Sequence, residues 1–442
     1  MNASNANTVS PMLHFGWFVG HGFGVQGWGT PGYGIGYDWK KPSLYQHAVR
    51  EFERAGLDLF IIEDSLTVPD TYGGSAEVSL AQASFAPKHD PLALVPYLLS
   101  ATEHLGIVPT VSASFYPPFT AARLLATLQH FSSGQLGWNV VTSGSDLAAQ
   151  NYGLDQQIEH DLRYEKAEEF VDVVRKLWRS WDGDAIVEDA QGGVFADHTK
   201  VRPIHHAGEF FKVRGPLNTA PLPEEPVLVQ AGASPRGKAF AGGNADVAIA
   251  LARGADGMKA YRDSIRSVAA AAGRNPDDVK VLFVLKPTVV GSKAEAEDLR
   301  AARKELTQRD IDSQLNSISY LSVIDFKQFD LDEPLPDLTT NSNQGTLEHF
   351  SKAAPPGSTL REVLQARSGG AGDSIVGTAE EIADHLEETG AAVGGDGFLF
   401  SGFVDPATVH GVLDKLAPVL RRRGLLRTSY GDGGFRRNLL DF

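Results

Sequence analysis

The sequence has no cysteine among its 442 residues, and this absence excludes several kinds of chemistry. Disulfides, zinc–thiolate sites, iron–sulfur clusters and thiol nucleophiles all need cysteine sulfur. Basic charge is also scarce, because 40 Lys and Arg stand against 55 Asp and Glu, for a formal net charge of -15. Nucleic-acid-binding proteins usually present a basic surface, so we expect no nucleic-acid partner.

Long apolar runs are missing as well. No stretch approaches the roughly 20 apolar residues that span a bilayer. The N-terminal MNASNANTVSPML has neither the basic nor the apolar part of a signal peptide. We therefore expect no membrane partner and a cytoplasmic location.

What the sequence does contain is an alternation of short apolar runs and longer segments of helical period, which is typical of repeated βα units. The predicted strands lie near Leu13–Val19, Asp58–Ile62, Ile107–Val111, Leu136–Val141, Val227–Gln230, Val247–Ala250, Val281–Val289 and Gly397–Phe400. The predicted helices lie near Leu44–Ala55, Pro91–His104, Ala121–Phe131, Tyr164–Trp178, Pro235–Gly242, Met258–Ala272, Ala294–Thr307 and Pro406–Arg423. Eight units predict an α/β fold of the TIM (β/α)8 barrel type, and a doubly wound open sheet is the alternative.

We interpret residues 1–442 as a single barrel domain with two insertions. Residues 183–225 are rich in Gly, Pro, Asp and His and predict a hairpin excursion. Residues 308–376 are too many for a structureless loop in a compact domain, so they predict a helical lid over the barrel mouth.

Active-site groups of such a barrel come from the carboxyl ends of its strands. Polar residues follow several predicted strands there, namely His21, Asp64, Thr110, Asn139, Ser143 and Gln230. A single Ser or Thr at such a place is often only a helix cap. Asn139 is different, because Asn has poor β-propensity and here lies inside the strand-like run WNVV.

The segment VLVQAGASPRGKAF predicts a strand, a turn through Gly232 and Ala233, and a helix with Ser234 as N-cap and Pro235 at its first position. Free N–H groups at such a helix start bind phosphate, although an ordinary capped turn has the same pattern. Tyr164, near the start of another helix, is either a further phosphate ligand or packing.

The histidines give two different indications. His198, His205 and His206 match no common spacing of metal ligands, and no HExxH motif exists, so we expect no metal. His89 comes just before the predicted helix start Asp90-Pro91 and is an active-site candidate.

Six motifs together resemble the bacterial-luciferase-like flavin monooxygenases, within them the nitrilotriacetate, dibenzothiophene-sulfone and long-chain-alkane monooxygenase group. They are GQLGWNVVTS at 134–143, NYG at 151–153, EHDLRYEKAEEF at 159–170, HAGEFFKVRGPLN at 206–218, VLVQAGAS at 227–234 and PVLRRRGLLRTSYGDGGFRRNLL at 418–440. The resemblance covers essentially the whole chain. It implies a barrel that uses reduced FMN as co-substrate, supplied by a separate NAD(P)H:flavin reductase, and O₂. It further implies oxygen transfer through a flavin C4a-(hydro)peroxide and a homodimer or homotetramer.

Matching positions imply roles for individual residues. Asp64, Thr110 and Asn139 would face the isoalloxazine ring, and the phosphate end would be held by Ser143, Tyr164, Gly232, Ala233 and Ser234. The catalytic candidates are His21, His89 and Asn139. The expected pocket has many aromatic side chains and few basic ones, which predicts an apolar haloaromatic, aryl sulfone or organosulfur substrate. The aromatic side chains are Phe23, Trp28, Phe115, Tyr116 and Phe119.

Three alternatives stay open at this point. The substrate can instead be a polar amine or carboxylate such as nitrilotriacetate, which calls for Arg or Lys around the pocket. A deazaflavin-dependent dehydrogenase would transfer hydride without O₂. A metal-dependent TIM-barrel hydrolase, from outside this class, would need His and Asp ligands at strand ends.

Overall fold

Eight parallel strands form the centre of the computed structural model, which describes residues 12–252, 254–368 and 374–442. They are β1 His14–Val19, β2 Leu59–Ile62, β3 Gly106–Ser112, β4 Gly137–Val141, β5 Val227–Ala231, β6 Val247–Ala250, β7 Lys280–Val289 and β8 Gly397–Ser401. Each strand pairs in parallel with its neighbours in the chain, and β8 also pairs with β1. This pairing closes the sheet, so the predicted TIM barrel is confirmed and the open sheet is excluded.

Eight helices surround these strands, one after each. They are α1 Pro42–Ala55, α2 Pro91–Leu99, α3 Pro118–Phe131, α4 His160–Trp178, α5 Pro235–Asn244, α6 Gly254–Ala271, α7 Ala379–Val393 and α8 Pro406–Arg422. The sequence analysis did not predict α7. Its start carries a capping box, in which Thr378 and Glu381 each bond the other's backbone, and this T-x-x-E pattern was the available signal.

The barrel has an apolar core inside the strands and a second one between strands and helices. Inside, residues such as Leu59, Val229 and Leu282 point inward from their strands. The C-terminal helix Gly434–Leu440 closes the amino ends of the strands with Phe435. A Cβ at Gly106 would lie 2.6 Å from the Phe435 ring, so the ring occupies space that only glycine leaves open.

Residues 183–225 form the predicted excursion. Strand Ile186–Asp189 pairs antiparallel with Val194–Ala196, and His206–Ala207 pairs antiparallel with Lys212–Val213. Nearer the N-terminus, Phe23–Gly24 pairs antiparallel with Lys88–His89. Short elements elsewhere are helices Glu77–Ala81 and Asp146–Asn151 and 3-10 turns Tyr72–Gly74, His198–Lys200 and Pro276–Asp278.

The second insertion lies between β7 and α7. It contains helices Lys293–Ala302, Gln308–Ser322, Gln344–Ser351 and Leu360–Ser368, the 3-10 turn Phe326–Gln328 and strand Ser374–Gly377, which pairs with β7. We call residues Gln308–Ser368 the lid. The lid has an apolar core of its own, which includes Ile311, Leu315, Phe326, Phe350 and Leu364. The described part of the predicted lid therefore contains three α-helices joined by longer connections, and residues 369–373 lie outside the described residues.

Across the three described stretches, we find no helix with the length and apolarity needed to span a membrane.

Candidate functional site

A cavity of about 1070 Å³ lies at the carboxyl ends of the barrel strands. Its floor includes Thr110, Asn139 and Gln230 from β3, β4 and β5. Its roof at one side is Ser342–Thr346 of the lid. The volume is slightly above the usual range for ligand pockets, which suits a large cofactor together with a small substrate.

The floor combines satisfied donors with unpartnered acceptors. The Asn139 amide donates from Nδ2 to Thr110 Oγ1 at 2.8 Å, and Thr110 Oγ1 donates to the Ile62 carbonyl at 2.8 Å. Asn139 Oδ1 and Gln230 Oε1 are buried and have no hydrogen-bond partner in the structure. A buried acceptor without a donor costs about 1–3 kcal/mol, so this floor favours a ligand that brings N–H groups.

One end of the cavity has the features of an anion-binding site. Ser234 caps α5 by accepting the Gly237 N–H at 3.0 Å, with Pro235 at the first helical position, as predicted from the sequence. Tyr164 lines the cavity beside this helix start, and burial raises the pKa of its phenol, which bonds with Ser234. Gly232, Ala233 and Ser143 line the same cavity. The structure thus brings together all five residues of the predicted phosphate end.

The roof approaches this end through two glycines. A Cβ at Gly144 would lie 2.5 Å from Ser342 Oγ, and a Cβ at Gly345 would lie 2.3 Å from Ala233 Cβ. Asn343 caps helix Gln344–Ser351, accepting the Thr346 N–H at 3.1 Å. The start of this helix therefore faces the start of α5. The sequence analysis placed none of these lid residues in the site.

Arg163 holds this part of the lid against the barrel. Its side chain is buried and donates to the carbonyls of Ile158 at 2.8 Å and Asn341 at 2.7 Å, with a longer bond to Ser342 at 3.3 Å. The Asn341 side chain in turn accepts the His160 N–H at 2.7 Å. Sequence reasoning missed Arg163, because an arginine within EHDLRYEKAEEF looks the same as an exposed charge on a helix.

Two titratable groups lie at the opposite side of the cavity. Burial, reinforced by Lys88 and Lys286, lowers the pKa of His21 from its ordinary 6.5 to about 3, so its imidazole is neutral at pH 7. Burial, reinforced by Glu63, raises the pKa of Asp64 from 3.8 to about 7. Of these two groups, Asp64 is therefore the one able to gain and lose a proton near neutral pH.

Five of the predicted residues do not line the main cavity, and three of them, His89, Phe23 and Trp28, lie in the N-terminal part of the chain. His89 stacks on Trp39 with ring centroids 5.4 Å apart and contacts Phe23 at 5.0 Å, because the pairing of Phe23–Gly24 with Lys88–His89 holds them together. Trp28 is 44% exposed and donates to the Ala81 carbonyl at 3.0 Å. Their roles at the substrate stay predictions.

The aromatic segment 115–119 is divided between two cavities. Tyr116 lines the main cavity, whereas Phe115 and Phe119 line only a second cleft of about 680 Å³, which Tyr116 shares. Phe115 stacks on Tyr152 with ring centroids 4.5 Å apart. Only one of the five predicted substrate-pocket aromatics therefore reaches the main cavity.

Two basic side chains lie at the mouth of the cavity and bear on the expectation of few basic residues near the pocket. Lys286 and Arg303 both line the cavity. Arg303 donates to Thr288 Oγ1 at 2.9 Å and Ser374 Oγ at 3.1 Å. Lys286 reaches the mouth from the carboxyl half of β7, whereas Arg303 follows helix Lys293–Ala302 and is brought there by the folding of the second insertion.

Comparison with known proteins gives a consistent family. The model for the family described as "Luciferase-like monooxygenase" matches residues 14–397. Dibenzothiophene-sulfone monooxygenase of Rhodococcus erythropolis is 38% identical over 414 residues, covering 91% of this chain and 90% of that protein. Nitrilotriacetate monooxygenase component A of Aminobacter aminovorans is 36% identical over 425 residues, covering 91% and 92%.

A solved structure agrees with this result. The crystal structure of riboflavin lyase with modified FMN and riboflavin superposes with a TM-score of 0.86 at 28% identity, covering 98% of this chain and 96% of that one. The polar floor and the anion-binding end described above suit a flavin ring and its phosphate. The chain belongs to the luciferase-like monooxygenase family and is a flavin-dependent oxidoreductase.

Proposed function

We propose that this chain is the oxygenase component of a two-component monooxygenase. It takes reduced FMN from a separate NAD(P)H:flavin reductase and adds one oxygen atom of O₂ to a small organic substrate. The observation that carries the proposal is the pair of unpartnered acceptors, Asn139 Oδ1 and Gln230 Oε1, in the floor beside the Ser234 helix start. A flavin offers ring N–H groups and a phosphate at opposite ends of one molecule.

The residues divide between the two ends of the cofactor. Asp64, Thr110, Asn139 and Gln230 would hold the ring. The phosphate end would be held by Ser143, Tyr164, Gly232, Ala233 and Ser234. The bound reduced flavin supplies the electrons that activate O₂, and the protein supplies orientation and a site without bulk water.

At the reacting end of the flavin, the side chains of this protein transfer protons and exclude water. Asp64, with its pKa near 7, can accept or return a proton during turnover. His21 is neutral and serves as a hydrogen-bonding group rather than an acid. The lid, held by Arg163, closes the cavity over the flavin site.

For the substrate, we propose an apolar aryl sulfone, haloaromatic or organosulfur compound. The cavity wall away from the phosphate end is largely aromatic and aliphatic, and it includes Phe18, Leu66, Phe85, Tyr116, Tyr320 and Phe403. The relative named for dibenzothiophene sulfone supports this class.

A second candidate is a polar amine carboxylate. Lys286 and Arg303 at the mouth favour it, since cationic side chains recognise carboxylates. The relative named nitrilotriacetate monooxygenase component A supports the same class, and "component A" in its name supports a separate reductase.

Two measurements test the proposal. Anaerobic titration with photoreduced FMN should show one site per chain, and Asn139→Ala should weaken it. Turnover with a generic flavin reductase should then couple NADH consumption to product for aryl sulfones and organosulfides in preference to nitrilotriacetate. Equal binding of reduced FMN by wild type and Asn139→Ala refutes the assigned floor, and better coupling with nitrilotriacetate selects the second candidate.

A further inference from the structure

A cluster of metal-ligand residues lies on the outer surface where the first and last barrel helices meet. α1 carries His47 and Glu51, one turn apart, and α8 carries His410 and Asp414, also one turn apart. The Nε2 atoms of His47 and His410 are 3.2 Å apart. Ligand atoms of Glu51, His410 and Asp414 all lie within 4.8 Å of one another.

The distance between the two imidazoles suits a shared metal ion. Zinc–nitrogen bonds of about 2.0–2.1 Å in a tetrahedral site place two ligand nitrogens about 3.4 Å apart. His47 and His410 are within a few tenths of an ångström of that separation without any movement of the helices. Glu51 has a carboxylate oxygen within 4.8 Å of the ligand atom of His410.

Asp414 supplies the supporting contact that metal-binding histidines usually have. His410 Nδ1 lies 3.0 Å from Asp414 Oδ2. When Nδ1–H donates to this carboxylate, the lone pair of Nε2 points away from it, towards His47. The ring is thereby held in the tautomer that a metal requires.

Arg54 competes for the same carboxylates. Its guanidinium forms ion pairs with Glu51 and with Asp414, the latter at 2.9 Å. The Arg54 side chain is 58% exposed, and exposed ion pairs contribute little to stability, so a metal ion can displace it at small cost.

We propose that His47, His410 and Glu51 bind a divalent transition metal, with zinc as the preferred ion. This site is separate from the flavin cavity, because α8 turns other residues, among them Thr408 and Val412, towards that cavity. The metal joins the two helices that meet where β8 pairs with β1. Its role is structural, since a ligand that binds only the folded state stabilises it.

The test uses full-length protein stripped with a chelator and then titrated with ZnCl₂. Calorimetry should show one site per chain with a dissociation constant in the micromolar range, and the melting temperature should rise on binding. Co²⁺ should give the absorption bands of a tetrahedral site. His47→Gln and His410→Gln should each weaken binding by at least tenfold, whereas Arg54→Ala should strengthen it.

His198→Gln, in an exposed turn of the excursion, is the matched control and should bind zinc as wild type does. Unchanged zinc affinity in both His47→Gln and His410→Gln overturns the proposal, as does the absence of binding in wild type. The urea midpoint of each metal-free variant distinguishes lost binding from lost folding. Binding of reduced FMN should be the same with and without zinc, so this result is independent of the proposed oxygenase function.

Discussion

The floor and the roof of the cavity are built in different ways. The floor side chains project from β3, β4 and β5, whose positions are fixed by continuous parallel pairing. The roof belongs to the lid, which has its own apolar core and meets the barrel beside the proposed flavin site chiefly at Arg163, Gly144 and Ala233. Changes in the floor should therefore alter flavin affinity, whereas changes in the roof should alter the coupling of turnover to product.

The largest effect should come from Arg163→Met, which removes the contact between roof and barrel. Its loss leaves the carbonyls of Ile158 and Asn341 without their buried donor. Each buried acceptor left without its charged donor costs about 1–3 kcal/mol, so the two together shift lid closure by on the order of a hundredfold or more. Product per NADH should fall steeply while H₂O₂ rises. Wild-type coupling in this variant would mean that the lid closes without Arg163.

Asn139→Ala should remove hydrogen-bonding groups from the floor and leave the structure of the roof unchanged. It removes the unpartnered acceptor and the bond to Thr110 Oγ1. Reduced FMN should bind about 10–100-fold more weakly, equivalent to about 1–3 kcal/mol. Asn244→Ala is the control, because Asn244 lies at the far end of α5 and bonds to Arg175 at 3.2 Å. Equal losses in both variants would point to general destabilisation.

Gly144→Ala should disturb the close contact between the barrel and the roof. The added Cβ would lie 2.5 Å from Ser342 Oγ, so the lid must shift to accommodate it. We expect a several-fold rise in H₂O₂ release, of the size that about 1 kcal/mol produces. Gly183→Ala is the control, since its Cβ would meet no atom within 4 Å. A matching rise in Gly183→Ala would exclude the Ser342 contact as the cause.

The response of Asp64→Asn to pH tests the opposite side of the cavity. The folded protein retains the Asp64 proton up to about pH 7, whereas the ordinary pKa of the carboxyl is 3.8. Between these values the folded state binds more protons, so wild-type stability falls with rising pH relative to the variant, by at most about 1.4 kcal/mol per unit. Urea unfolding of wild type and variant from pH 4.5 to 8.5 measures this. Parallel curves would place the pKa of Asp64 near its ordinary value.

The difference between the floor and the roof also explains which features could be predicted from the sequence. Fully buried parallel strands appear as short apolar runs, so all eight strands were located within a few residues. The Ser234 helix start was predictable because cap, Pro235 and strand are contiguous in the chain. The helix α7 was missed although its capping box was present.

Contacts between distant segments were not predictable from local patterns. Arg163 meets Asn341 across 178 positions, and His47 meets His410 across 363. The placement of His89 beside Trp39 depends on a two-residue strand pair, which is too short to give a periodic signal. The approach of Arg303 to the mouth depends on the path of the whole second insertion.

Strand Ser374–Gly377 brings the end of the second insertion back to the point at which it begins. Val289 pairs with Gly377, and the Val290 N–H donates to the Gly377 carbonyl at 2.9 Å. The insertion thus leaves and rejoins the barrel at adjacent backbone positions, and a segment with this property can be exchanged without altering the strands on either side. Chimeras that carry a relative's segment between Val289 and Gly377 should retain the barrel, and they offer a direct way to transplant substrate preference between oxygenases.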